Sequence, residues 1–195
     1  MVKHNIRIFA FAILGLAFIV YAIIFTLTQN FDSIDFHKAI THISTTISIN
    51  IILWMIFIAW GWKLRIFYPW LVPFPNLSGD WEGTIKSNWE KELEPIPIEV
   101  SITQNFFNVQ VRIKTKESRS YSIGASFDID NERGFQQLFY TYLNTPKPGV
   151  RERSEIHYGS TILNFNGFKV TKMDGEYWTD RKTTGEITLT KKNIA

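Results

Sequence analysis

The chain contains no cysteine, which excludes disulfide scaffolds, thiol catalysis and Cys-based zinc sites. It has no Asp, Glu, Lys or Arg from Ile8 to Phe31, and none from Thr41 to Trp62. Uncharged stretches of that length exclude a plain soluble globule, and two of them in 195 residues are too few for a polytopic transporter. The four histidines (His4, His37, His42 and His157) include no pair with ligand spacing on one helix. HExxH, GxSxG, a Walker A loop and GxGxxG are all missing, so no catalytic group, metal or cofactor is expected. Residues 76–195 carry no net charge either, with 16 basic and 16 acidic side chains. The formal charge of +3 belongs to residues 1–75, which hold five basic and two acidic groups, and bulk charge therefore gives no support for binding duplex DNA or RNA.

What is present first is a membrane hairpin, residues 1–67. Ile8–Leu27 is long enough, at roughly 1.5 Å per helical residue, to cross a hydrocarbon core about 30 Å thick. Ile43–Trp62 is the second span, polar at its entrance and apolar from Ile51 to Trp60. Lys3 and Arg7 precede the first span, Lys63 and Arg65 follow the second, and the intervening loop holds Asp32 and Asp35 against Lys38. The positive-inside rule then places both termini in the cytoplasm and the 28–42 loop outside, as in a multi-pass membrane protein. A cleavable signal peptide is the competing reading of the first span, but its apolar run is too long and no small-x-small site follows it. Trp54, Trp60, Trp62, Tyr68 and Trp70 form an interfacial aromatic belt. Asn50 implies either a hydrogen bond within the hairpin or a contact between copies. Residues 68–75, with Pro69, Pro73 and Pro75, cannot continue the helix and form a short stiff connector on the membrane surface.

From Gly79 onward the hydrophobic period is two. Trp81, Gly83 and Ile85 share one face, as do Ile96, Ile98, Val100 and Ile102, then Val109, Val111 and Ile113, then Tyr121, Ile123, Ala125, Phe127 and Ile129. Further runs are 135–143, 156–165, 168–173, 177–182 and 186–190, separated by turn chemistry that includes Asn166-Gly167, Asp174-Gly175 and Thr184-Gly185. Eight or nine short antiparallel strands in residues 76–195 are best buried by closing the sheet into a compact barrel of about eight strands, a two-sheet sandwich being the other solution. Asp128–Gly134 departs from a calcium loop, since its glycine comes one place late and Phe139 stands where the bidentate Glu belongs, so it reads as an acidic turn. Asn76-Leu77-Ser78 fits a glycosylation sequon but falls on the cytoplasmic side of the expected topology.

Alternation places Tyr177, Thr179, Arg181 and Thr183 on one face. A guanidinium fork, hydroxyls and a ring are what recognition of a phosphate and its base requires. Tyr121, Tyr140, Tyr142 and Tyr158 are further stacking candidates, and the ligand-binding set drawn from all these is Tyr121, Tyr158, Tyr177, Thr179, Arg181 and Thr183. The alternative for Arg181 is structural, a guanidinium stacked on Trp81 that plugs one barrel end, as in lipocalin-like barrels.

The layout of two N-terminal spans, a Pro/aromatic connector, Leu77-Ser78-Gly79-Asp80-Trp81-Glu82-Gly83 and a closing segment Tyr177–Leu189 resembles the SMODS-associating two-transmembrane, β-strand-rich effectors of CBASS, the bacterial cyclic-oligonucleotide anti-phage defence. That resemblance implies a minimal β-barrel binding a cyclic dinucleotide made by a partner nucleotidyltransferase (CD-NTase). It also implies self-association on binding, and disruption of the inner membrane by the helices. Two other functions compete on the residues alone: a membrane-anchored lipocalin-like carrier of an apolar molecule, and an adaptor whose barrel recruits a protein.

Overall fold

A computed structural model of the chain describes residues 6–28, 36–88, 94–130 and 133–192. It divides into two compact units, residues 4–73 and 74–195.

The first unit contains two helices, α1 (Ile6–Thr28) and α2 (Phe36–Ala59). Both are long and apolar enough to cross a membrane, over Arg7–Thr28 and Ile40–Ala59. Helix α2 starts seven residues before the expected span and ends three before it, since Gly61–Lys63 already turns as a 3-10 helix. Residues 29–35, with Asp32 and Asp35, lie outside the described residues. The helices pack antiparallel: Phe9 meets Trp54 at one end (ring centroids 5.2 Å apart), and Thr28 Oγ1 bonds His42 Nε2 (3.0 Å) at the other. His42, Thr46 and Asn50 are buried at i, i+4 spacing, so one polar stripe of α2 lies within the hairpin. Asn50 Nδ2 donates to the Thr46 carbonyl (3.0 Å), a bond within its own helix.

The second unit is a closed barrel of eight antiparallel strands in sequence order, β1 (Gly79–Ser87), β2 (Ile96–Gln104), β3 (Val109–Lys114), β4 (Ser118–Asp130), β5 (Phe135–Pro146), β6 (His157–Asn164), β7 (Lys172–Thr179) and β8 (Thr184–Lys191). Closure is made by β1 pairing with β8, from Trp81 opposite Lys191 to Ser87 opposite Gly185. Two turn signals fall inside strands. Asp174-Gly175 lies in the middle of β7 and Gly185 in β8, so the expected runs 168–173 and 177–182 are one strand that begins at Lys172. A Cβ at Gly175 would run into the Ile162 carbonyl oxygen, so glycine is needed there for close strand approach and not for a turn. Asn166-Gly167 does lie between β6 and β7, with Gly167 at φ +75°.

The run Tyr121 to Ile129 does not keep one face. Ser122 pairs with Tyr142 but Gly124 pairs with Thr141, so Ile123 is an extra residue in β4. This bulge reverses the alternation. Before it, Ser120 points inward and Tyr121 outward; after it, Phe127 is buried, while Ile123 itself is 65% exposed.

The end of the barrel at which the chain enters is filled by apolar groups. Phe74, Leu77, Trp81, Phe106, Phe127, Phe165, Leu163 and Leu189 are all buried there, with Phe74 stacked on Phe127 at 5.3 Å. Full burial of side chains of this kind stabilises by about 1.5–3 kcal/mol each. The entering segment is held by Gln104, the last residue of β2: its Oε1 accepts from Leu77 N (2.7 Å) and its Nε2 donates to the Pro75 carbonyl (3.0 Å). Gln104→Ala leaves both backbone groups buried without that partner. We expect it to destabilise the protein by about 2–6 kcal/mol, at roughly 1–3 kcal/mol per orphaned group, read by denaturant titration in detergent.

Candidate functional site

At the other end the interior is polar. Ser87, Ser120, Asn144, His157, Thr179 and Thr183 are buried there, beside the rings of Tyr142 and Tyr177. All but Thr183, which sits in the turn before β8, occupy an inward position near the end of a strand, so the polarity comes from strand alternation in five strands at once. Ser120 Oγ donates to Asn144 Oδ1 (2.9 Å). Thr183 N donates to Thr179 Oγ1 (3.2 Å), closing the turn between β7 and β8 with Lys182 at φ +63°. Thr183 Oγ1 is buried and has no hydrogen-bond partner among the described residues.

Arg181 sits in that turn, half-buried, and its Nη2 donates to Ser154 Oγ (3.4 Å). Its charge is felt inside the mouth. It opposes the burial that pushes the Tyr142 hydroxyl well above the usual phenol range, and it adds to the burial that lowers His157. Tyr177 is also raised by burial, partly offset by a hydrogen bond with Ser87. The imidazole of His157 is held through Nδ1 and the Glu155 carbonyl (2.9 Å). The mouth is thus a set of neutral hydroxyls and a neutral imidazole near two opposed charges, the Arg181 guanidinium and the Asp180 carboxylate, of which the guanidinium suits an anion.

Of the six residues expected from the sequence, the structure brings together Tyr177, Thr179, Arg181 and Thr183. Tyr121 and Tyr158 face outward, 47% and 58% exposed, and do not reach the mouth. For Tyr121 the cause is the bulge at Ile123; for Tyr158, its place one residue after the inward His157. Arg181 does not stack on Trp81, which lies toward the opposite end of β1. The cation over the Trp81 ring is Lys191, with Nζ 5.3 Å from the centroid, and the indole Nε1 donates to the Leu77 carbonyl (3.0 Å). Lys191 is partly buried there, which lowers its pKa. His157, Asn144 and Ser87 were not singled out in the sequence, although polar residues at inward positions near strand ends carried the signal.

Outside the barrel, a groove of about 430 Å³ runs over β1–β4, lined by Arg112, Lys114, Arg119 and Tyr121 but also by Asp80 and Glu99. Glu99 takes Lys114 in an ion pair (3.1 Å), which holds the carboxyl below its usual range. Asp80 and Glu99 thus set negative charge against the basic side chains of this groove.

Residues 72–191 match the family described as Cap15, cyclic dinucleotide receptor domain. The chain belongs to this family of CBASS effectors. Among curated proteins it is 34% identical to CD-NTase-associated protein 15 of Staphylococcus schleiferi over 134 residues, 68% of each chain. It is also 34% identical to CD-NTase-associated protein 15 of Yersinia aleksiciae over 125 residues, 60% of this chain and 55% of that protein. The matched Cap15 segment includes the whole barrel, with both the apolar end and the polar mouth.

The lowered pKa of His157 gives a pH dependence whose sign is fixed. The folded state binds the imidazole proton more weakly than the unfolded chain does, so stability is full above the unfolded value near 6.5. It falls as pH drops from there toward the folded value. We expect the melting temperature to decline below about pH 6.5, and His157→Gln to flatten that decline, as followed by thermal melts from pH 7.5 to 5.

Proposed function

We propose that the chain is a cyclic-dinucleotide-gated membrane effector of anti-phage defence. Its barrel takes the messenger of a CD-NTase at the polar mouth, and the α1–α2 hairpin acts on the bacterial inner membrane with both termini in the cytoplasm. The observation that carries this reading is the division of the barrel interior. One end is filled by packed aromatic and aliphatic side chains, while the other presents Arg181, Thr179, the unpartnered Thr183 hydroxyl and Tyr177. The naming of the family as a cyclic dinucleotide receptor supports the ligand, and the naming of both relatives as CD-NTase-associated supports the source of that ligand. No step of chemistry is assigned to the mouth: it binds. A lipocalin-like carrier needs an apolar cavity, and the apolar end here is occupied by the protein's own rings.

Binding to the mouth stabilises whichever arrangement of copies orders it best, and the population shifts accordingly. Anchoring on one bilayer raises the effective concentration of the hairpins, so weak contacts suffice for assembly and for breaching the membrane.

Two outcomes are expected of the full-length protein in detergent. Cyclic dinucleotide should shift the oligomer distribution upward, and an unchanged distribution would sink the gating. Arg181→Ala should weaken binding about 10- to 100-fold, the loss of a charge-assisted hydrogen bond of roughly 1.5–3 kcal/mol, while the ligand-free melting temperature holds. Wild-type affinity in that variant would remove Arg181 from the site.

A further inference from the structure

The two tyrosines that the mouth leaves out lie in one row across the outside of the sheet. Arg112 on β3 is opposite Tyr121 on β4, Tyr121 is opposite Leu143 on β5, and Leu143 is opposite Tyr158 on β6. The row ends on Asp180, whose N–H donates to the Tyr158 carbonyl (3.1 Å) and whose Oδ2 accepts from Tyr158 N (3.2 Å). Arg112, Tyr121, Tyr158 and Asp180 are exposed and Leu143 is half-buried. The row therefore reads cation, tyrosine, leucine, tyrosine, anion.

Further large apolar groups lie around it, among the polar Arg119, Thr141 and Ser160. The bulge turns Ile123 out beside Tyr121, and Phe139 and Trp178 lie nearby with ring centroids 6.4 Å apart. Large apolar groups gathered on a solvent face mark an interaction site. Among the described residues, neither Arg112 nor Asp180 takes part in an ion pair.

We propose that this face binds a second copy of the chain about a two-fold axis through Leu143. Rotation about that axis sets Tyr121 of one copy on Tyr158 of the other and places each Arg112 against an Asp180. The occupant follows from the order of the charges. A surface with opposite signs at its two edges and an apolar centre is complementary to itself under two-fold rotation. An anionic bilayer would be attracted at one edge and repelled at the other.

The same row reaches the mouth. Asp180 precedes Arg181 in the turn that Thr179 and Thr183 close, so a ligand that fixes Arg181 also fixes the anionic edge of the pairing face. This inference rests on the self-association proposed above, for which it names the surface.

The absence of cysteine makes a clean test. Leu143→Cys, on the axis, should give a disulfide-linked dimer of the full-length protein at high density in lipid vesicles. Tyr121→Cys alone should not, whereas copies carrying Tyr121→Cys mixed with copies carrying Tyr158→Cys should. Arg112→Asp and Asp180→Arg should each lower the dimer yield of the Leu143→Cys protein about tenfold, and the two together should restore it. Failure of the Leu143→Cys link, failure of the charge swap to rescue, or a link only to some other protein would overturn the interface. Loss of cyclic dinucleotide binding by Arg112→Asp would do so too, by placing Arg112 in the ligand site. Running each arm with and without cyclic dinucleotide separates the two proposals. A Leu143→Cys link indifferent to ligand upholds the face and refutes gating. Ligand-driven oligomers without that link uphold gating and refute the face.

Discussion

The constraint on which the rest depends is the pairing of β1 with β8. Once the first and last strands join, no strand has a free edge, and the interior of an eight-strand barrel is only wide enough for side chains or one small ligand. Glycine marks where the chain bends tightly enough to achieve this. A Cβ at Gly83 would meet the Thr188 carbonyl, and one at Gly159 would meet the Tyr142 ring. Closure therefore leaves the middle of the barrel filled by side chains.

Closure also explains why the two ends of the barrel differ. Inward positions near the chain's entry hold Trp81, Phe127 and Leu163, and the connector adds Phe74 and Leu77 through the two-point grip of Gln104. Inward positions at the other end hold hydroxyls, an amide and an imidazole. The first set satisfies itself by packing. The second leaves hydrogen-bonding capacity over, visible in the buried Thr183 hydroxyl. A similar tension exists within the helical hairpin, where Thr46 Oγ1, Asn50 Oδ1 and Trp54 Nε1 are buried without hydrogen-bond partners among the described residues.

A single inserted residue decides which face of the sheet Tyr121 takes. Without the bulge at Ile123, Tyr121 would share a face with Phe127 and lie inside; with it, Tyr121 joins Leu143 and Tyr158 on the outside. The turn at 180–183 holds to neighbouring segments through Asp180, which accepts from Tyr158 N, and Arg181, which donates to Ser154 Oγ.

Much of this was legible in the residues. Charge-free runs longer than a bilayer is thick do not depend on what packs against them, and period-two alternation from Gly79 onward requires strands whatever their order. Tyr177, Thr179, Arg181 and Thr183 could be placed together because the end of β7 and the turn after it are local in the chain. Tyr121, the Trp81 partner and the polar residues of the mouth were not, since each depends on register. The bulge in β4 shows only when β5 is laid beside it, and Lys191 reaches Trp81 only because the last strand closes on the first. Sequence alone thus set the two apolar helices, the strands and their alternation, which are decided by neighbours along the chain. The tertiary structure decided which side of each strand faces in and which distant residues meet at a rim, because those follow from hydrogen-bond pairing between segments far apart in the chain.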